Sequence, residues 1–248
     1  MEISAKELRQ MASAVDEKHQ AVMKTFRDET AELHLDTVET SRRRFLRRAG
    51  ATAGVGAAAL TIGPVLLPAS GLLASASAQT LTDVDIAVYA QSVELAAVAV
   101  YGMAAAALSS ATKPVGELFA KHHQDHADAF GSLAGDKAVT APNAALVAAV
   151  TPLLQAVKTE TDALNLAFVI ENQAAATYAF ALTVLSVPAA ISGTATILPI
   201  EAEHAVILGA ALKMDPASLF PNGAFESASV GAAGDPKTGL DPAKYPVA

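Results

Sequence analysis

Residues 121–127 read KHHQDHA, and residues 200–205 read IEAEHA. His123 and His126 are three positions apart, and so are Glu201 and His204. Side chains three or four positions apart lie on one face of an α-helix. If both stretches are helical, each pair can therefore chelate one cation or bracket two.

Two other segments each carry one glutamate within an apolar run. Glu94 lies in VELAAV, and Glu171 ends the run FVIE. A lone carboxylate on an apolar helix face is costly to bury unless it is paired, hydrogen-bonded or bound to a cation. A tyrosine follows each glutamate by seven residues, Tyr101 in one case and Tyr178 in the other. Each tyrosine therefore shares a helix face with its glutamate.

The two halves of the chain repeat these positions at nearly the same spacing. Glu94 and His126 are 32 residues apart, and Glu171 and His204 are 33 residues apart. In both halves a glycine stands five residues after the histidine. The repeat predicts two helical hairpins of one design, and hence an all-α, up-and-down four-helix bundle.

Hydrophobic periodicity predicts where the helices lie. The four long helices span about residues 81–110, 114–133, 158–185 and 198–212, and a short helix begins near residue 144. Pro188 and Gly193 interrupt the pattern before the last long helix, and the alternative is an earlier start with a kink at Pro199. From residue 214 onward, prolines and glycines predict an extended tail that wraps the bundle or is disordered.

This constellation resembles the ferritin-like superfamily, in which two helices each give one glutamate to a bundle site and the other two each give a Glu-x-x-His motif. The resemblance covers about residues 82–212 and is closest to the exported, single-domain members. It implies a site for two divalent metals, iron or manganese, with zinc also open. It also implies ferroxidase, peroxide-consuming or catalase-like chemistry, without choosing among them. The implied ligands are Glu94, His123, His126, Glu171, Glu201 and His204.

One position departs from that pattern, because His123 stands where a glutamate is expected. Three carboxylates give three negative charges against the four positive charges of two divalent cations. A hydroxide or oxide bridge could make up the difference, or one metal could be held tightly and the other weakly. His122 lies four residues before His126 and could replace His123 as a ligand, although the internal repeat favours His123. Side chains expected to support the ligands by hydrogen bonds are Tyr101, Tyr178 and His122.

The N-terminal third resembles an export leader. A basic run at residues 42–48 precedes an uncharged stretch from residue 49 to residue 82, which contains the small-residue site Ala76-Ser77-Ala78. Residues that match the twin-arginine translocation motif are Arg42, Arg43, Phe45 and Leu46. The predicted plan is therefore a leader at 1–78, a bundle at 79–213 and a tail at 214–248, with the twin-arginine export machinery as a partner and the periplasm or cell envelope as the destination. An uncut leader would instead remain as an N-terminal anchor. Residues 1–40 are expected to form an amphipathic helix that is discarded after export.

Composition limits the remaining function classes. The 248 residues contain no cysteine, which excludes a thiolate metal site, an iron–sulfur cluster and a cysteine nucleophile. The net charge of −8 and an aromatic content of 5% argue against nucleic-acid binding. Two alternatives to a metal-dependent oxidoreductase remain. One is a non-enzymatic envelope scaffold with a degenerate site, and the other, less favoured, is a multi-span membrane protein.

Overall fold

The computed structural model describes residues 3–31, 81–219, 240, 242 and 245–247. The twin-arginine motif, the uncharged stretch before residue 81 and the proposed cleavage site lie outside these residues. The described residues form helices and turns, with no strand among them. The helices are α1 (Ala5–Thr30), α2 (Asp83–Ala104), α3 (Lys113–Ala134), α4 (Ala144–Ala156), α5 (Glu160–Val184) and α6 (Pro188–Ala211).

Local sequence signals begin three of these helices. At the start of α2, the Thr82 side chain accepts a hydrogen bond from the Asp85 amide, and the Asp85 carboxylate accepts one from the Thr82 amide. This capping box satisfies amide groups that have no partner within the helix. The same arrangement begins α1 and α5. Acidic residues in the first turn also stabilise these helices, because their negative charge lies near the positive end of the helix dipole.

The predicted four-helix bundle is confirmed. α2 packs along α3 to form one hairpin, and α5 packs along α6 to form the other. α2 also contacts α5, and α3 contacts α6, so the four helices enclose one interior. The connecting helix α4 covers the side of the bundle formed by α2 and α5.

The last long helix begins earlier than the hydrophobic pattern suggests. α6 starts at Pro188, where the missing amide proton costs nothing because first-turn amides have no partner within the helix. It continues through Gly193 and Pro199, so neither residue ends it. A Cβ at Gly193 would lie 2.3 Å from Cε2 of Phe26, so glycine allows α1 to approach α6 closely. The earlier start of α6, given above as the alternative, is therefore correct.

The N-terminal helix is amphipathic, as predicted, but its packing was not anticipated. α1 lies against α3 and α6, on the side of the bundle opposite α4. Its apolar stripe is buried there, and on the surface Lys18 forms an ion pair with Glu203 of α6 at 2.5 Å. The buried residues of α1 are Leu8, Ala12, Val15, His19, Met23 and Phe26. In this chain α1 is an integral layer of the fold.

The end of the C-terminal tail also returns to the bundle. Leu240 and Tyr245 are buried, and the Tyr245 carbonyl accepts a hydrogen bond from the side-chain amide of Asn143 at 3.0 Å. Among the described residues, one helical stretch, 83–107, is long and apolar enough to cross a membrane by length and composition. Most of that stretch is buried against neighbouring helices, which also accounts for its apolar composition.

Candidate metal centre

The structure brings all six implied ligands together in the middle of the bundle. Glu94 lies on α2, Glu171 on α5, two histidines on α3, and the Glu-x-x-His pair on α6. Glu94 is 2% exposed, and the other five side chains are fully buried. Four helices therefore each contribute ionisable groups to one interior cluster.

The cluster divides into two overlapping groups of four residues. Within each group, one ligand atom per residue lies within 4.8 Å of all the others. Both groups contain His123 and Glu201, which therefore lie between the two halves. The first group is Glu94, His123, His126 and Glu201, and the second is His123, Glu171, Glu201 and His204.

Each shared residue faces both groups. His123 places Nδ1 2.7 Å from Glu94 Oε2 and Nε2 3.1 Å from Glu171 Oε1. Glu201 places Oε1 2.8 Å from His126 Nδ1 and Oε2 3.4 Å from His204 Nδ1. A neutral imidazole has only one nitrogen lone pair for a metal. Neutral His123 could therefore bind only one cation, whereas Glu201 has two carboxylate oxygens and could bind one cation with each.

The two tyrosines connect the halves of the repeat. Tyr101 on α2 donates a hydrogen bond to Glu171 on α5, and Tyr178 on α5 donates one to Glu94 on α2. Burial, followed by the charge of these glutamates, raises the pKa of both phenols well above the usual value, so they remain donors. Each tyrosine shares a face with the glutamate on its own helix but bonds to the glutamate of the other.

The ionisable side chains of the cluster shift one another's pKa values. Burial alone would raise the pKa of Glu94, but the charge and hydrogen bond of His123 and the charge of His126 lower it to about 2. Burial alone would lower the pKa of His126, but Glu201 and Glu94 raise it to about 9. The same balance lowers the pKa of Glu171 and raises those of His123 and His204. With its three histidines protonated, the metal-free cluster matches three positive charges to three carboxylates.

His122 faces away from the three glutamates of the cluster and toward α1. Its Nδ1 lies 2.9 Å from His204 Nε2, and its Nε2 lies 3.1 Å from Asp16 Oδ1 on α1. It therefore touches a candidate ligand from outside the cluster and does not take the place of His123. His19 of α1 is fully buried and stacks on His122 with ring centroids 3.8 Å apart.

Sequence reasoning did not include Asp16 or His19 in the site. The available signal was the position of His19 within the apolar stripe of α1, four residues after Val15 and four before Met23. A histidine in such a stripe is buried when the helix docks. Nothing in the local pattern identified the surface to which the helix docks.

Comparison with known proteins identifies a family. Residues 77–214, more than half of the chain, match the family model described as Ferritin-like domain. No curated protein and no solved structure matches the chain. The matched range contains α2 to α6 and all six residues of the cluster, and it leaves α1 outside.

Proposed function

We propose that this chain, which belongs to the ferritin-like domain family, is an exported metal-binding protein whose cluster holds two divalent cations, iron or manganese. The observation that carries this proposal is the pair of overlapping four-residue groups that share His123 and Glu201. Two such groups in one buried cluster are what a two-metal site requires. Zinc also suits the donor set of carboxylates and imidazoles.

Two residues of the cluster have buried polar atoms that a cation would satisfy. Both oxygens of Glu201 and both ring nitrogens of His126 are buried and make no hydrogen bond to any described residue, although the two side chains approach to 2.8 Å. Buried polar groups normally have a partner of good geometry. A cation between these atoms would satisfy both residues at once.

The residues of the chain prepare the site for redox-active metals. Iron or manganese, when bound, would supply reactivity toward dioxygen or peroxide. A protein that handles iron would instead bind and release iron at this site. The three glutamates offset most of the charge of two cations, and the tyrosine hydroxyls orient two of the glutamates. An apolar cavity lined by Ile86, Val93, Phe130 and Ala181 extends to Glu94 and Tyr178, which would admit a small molecule to one side of the cluster.

Metal content of matched variants tests the proposal. The purified full chain should bind about two equivalents of iron or manganese and unfold at a higher temperature when loaded. Glu201→Gln and Glu171→Gln should lose bound metal and the metal-dependent rise in Tm. Glu203→Gln is the control, because Glu203 lies on the same helix as Glu201 but pairs with Lys18 at the surface. A wild-type chain that binds no metal, with Tm unchanged by Fe(II) or Mn(II), would contradict the proposal.

A second candidate is a non-enzymatic scaffold with a degenerate site. The charge match between three imidazoles and three carboxylates favours it, because the cluster can be neutral without a cation. Calorimetry distinguishes the two candidates. Metal binding has to displace protons from the histidines, so the binding enthalpy should depend on the ionisation enthalpy of the buffer. A scaffold shows no such heat, and it keeps its cellular role in the Glu171→Gln variant.

Export through the twin-arginine pathway is the third part of the proposal. Its support is the order of the basic run, the uncharged stretch and the small-residue site in the sequence. Arg42→Lys with Arg43→Lys should retain the full-length chain in the cytoplasm of a bacterial host, as cell fractionation would show. Arg47→Lys with Arg48→Lys is the matched control and should be exported. Equal export of both variants would contradict this route.

A further inference from the structure

A line of hydrogen-bonding atoms runs from the surface of α1 to the cluster. Asp16 Oδ1 lies 3.1 Å from His122 Nε2, and His122 Nδ1 lies 2.9 Å from His204 Nε2. His204 Nδ1 then lies 3.2 Å from Glu171 Oε2. Both histidines are fully buried, whereas the Asp16 side chain is 39% exposed. Three helices, α1, α3 and α6, each contribute one residue to the line that ends at Glu171.

The direction of protons along this line follows from metal binding, so the inference rests on the proposed function. His204 turns Nδ1 toward the carboxylates, and a metal there requires a lone pair on Nδ1. The proton of neutral His204 is then on Nε2 and is donated to His122 Nδ1. The proton of His122 is consequently on Nε2 and is donated to the Asp16 carboxylate.

We infer that Asp16 is a positioning residue of the metal centre, which acts through His122 to hold His204 in the tautomer that leaves Nδ1 free for a cation. Metal-bound histidines commonly donate their second N–H to an oxygen or another acceptor that fixes the ring, and loss of that partner weakens metal binding about 10- to 100-fold. Here the acceptor is a histidine, and the carboxylate that orients it comes from outside the four-helix bundle.

The line is present on one side of the repeat only. His126 corresponds to His204, and the position that corresponds to His122 is Ile200, which has no polar atom in its side chain. Nε2 of His126 makes no hydrogen bond to any described residue. Support from α1 therefore distinguishes the His204 side of the centre from the His126 side.

Cleavage of the leader during export would remove the contribution of Asp16 to the centre. Asp16 lies in the predicted leader, and cleavage after Ala78 would separate α1 from the chain that carries His122 and His204. The supported form of the centre then belongs to the uncut precursor, which is the form that folds before twin-arginine export. The consequence is that metal is bound more tightly before cleavage than after α1 departs.

A rival interpretation is a third cation held by Asp16, His19 and His122, whose ligand atoms also lie within 4.8 Å of one another. That cation would need the lone pair of His122 Nε2, which moves the His122 proton to Nδ1 and reverses its bond with His204. The proton of neutral His204 would then lie on Nδ1, where the cluster metal should bind. His19 and His122 are also stacked with their planes 20° apart, and a cation in the plane of one ring lies outside the plane of the other.

Zinc titration of the full chain separates these possibilities. In the wild type we expect two zinc ions per chain, and Asp16→Ala should keep that stoichiometry but lower the affinity of one site about tenfold or more. Asp16→Asn should lose less, because its amide oxygen still accepts from His122. His19→Leu and the surface variant Asp28→Asn should match the wild type, since Asp28 lies on the surface of α1 in an ion pair with Lys24. If the cation were at the rival site, Asp16→Ala and His19→Leu would both reduce the stoichiometry from three to two.

Nitrogen-15 NMR of the imidazole rings provides the readout that a packing defect would not move. In the zinc-loaded wild type, we expect the protons of both His122 and His204 on Nε2. In Asp16→Ala, His122 should become a mixture of tautomers while the fold and Tm are kept. Equal zinc affinity in Asp16→Ala and Asp28→Asn, or a proton on His122 Nδ1 in the wild type, would overturn the inference. A wild-type chain that binds no zinc would overturn the metal centre itself.

Discussion

The hairpin of α2 and α3 and the hairpin of α5 and α6 place the same kinds of side chain at corresponding positions. The corresponding pairs are Glu94 and Glu171, Tyr101 and Tyr178, His126 and His204, and Gly131 and Gly209. Among the positions in or next to the cluster, two neighbouring ones differ, where His122 and His123 correspond to Ile200 and Glu201. The shared residues recur on both sides of the buried cluster. Of the two differences, His123 in place of a glutamate changes the charge of the cluster, and His122 provides the contact with α1 on one side.

The comparison also shows that neither hairpin completes a site alone. Each tyrosine hydroxyl bonds to the glutamate of the opposite hairpin, and His123 approaches one glutamate from each. The halves are therefore similar in design but interlocked in space. A substitution at position 123, where the halves differ, should therefore change stability strongly. Substitutions at the tyrosines and glycines that the halves share should change it less.

The largest effect is expected when the difference at position 123 is removed. His123→Glu would give the metal-free cluster four carboxylates and two imidazoles, and a buried charge without a partner costs about 3–5 kcal/mol. We expect the free energy of unfolding of the metal-free protein to fall by that order, and manganese to restore most of it. Urea denaturation with and without metal measures both values.

The control for this change is Gln124→Glu, which introduces the same side chain on α3 at a partly exposed position. It should leave the stability of the metal-free protein within about 0.5 kcal/mol of the wild type, as for most surface substitutions. A His123→Glu variant that is as stable as this control without metal would contradict the charge match between the halves.

The second prediction concerns pH and the metal-free protein. The pKa of His126 is about 9 in the fold, against an ordinary value of 6.5. A raised pKa stabilises the fold fully below pH 6.5, and this contribution disappears as the pH rises through 9. At 1.36 kcal/mol per unit, the loss from this residue is on the order of 3 kcal/mol.

Chemical denaturation between pH 6 and pH 10 tests this dependence. The metal-loaded protein should show little of it, because imidazoles bound to a cation are already deprotonated. Glu94, with a pKa of about 2, gives the opposite sign: its contribution is present above pH 4.5 and disappears only as the pH falls through 2. A metal-free protein of constant stability from pH 6 to pH 10 would show that the imidazoles are not paired with the carboxylates.

The parts of the molecule that were predictable from the sequence are those encoded by local spacing. Periodicity identified the helices of the bundle, and the positions of Glu94, Glu171 and the histidines indicated which helix faces turn inward. The crossing of Tyr101 and Tyr178 was not predictable, because it depends on how the hairpins are rotated against each other. The docking of α1 was not predictable either, because an amphipathic stripe shows that a helix is covered but not by what.

The third prediction tests the interlocking of the halves. Tyr101→Phe and Tyr178→Phe each leave a buried carboxylate without one hydrogen bond, and a bond to a charged group contributes about 1.5–3 kcal/mol. We expect both variants to lose about this much stability, by similar amounts, without a change in helix content. Thermal denaturation of the metal-free proteins measures the two losses. If either variant is as stable as the wild type, its tyrosine does not connect the hairpins.

The smallest effect is expected at the paired glycines. A Cβ at Gly131 would lie 2.3 Å from Nε2 of Gln91, and a Cβ at Gly209 would lie 2.3 Å from Cδ2 of Leu219. Gln91 also accepts a hydrogen bond from the Val139 amide at 2.7 Å, so moving it breaks a bond, whereas Leu219 can shift without losing one.

We therefore expect Gly131→Ala to lose about 1 kcal/mol, the net value of a typical hydrogen bond. Gly209→Ala should lose less, because the Leu219 side chain that has to move is apolar and breaks no hydrogen bond. Gly102→Ala is the control, since a Cβ there meets no atom of the described residues within 4 Å, and it should gain stability because alanine favours the helix over glycine. Equal losses at Gly131 and Gly209 would mean that the two hairpins pack their glycines with equal rigidity, and that their differences are confined to the metal centre and the face covered by α1.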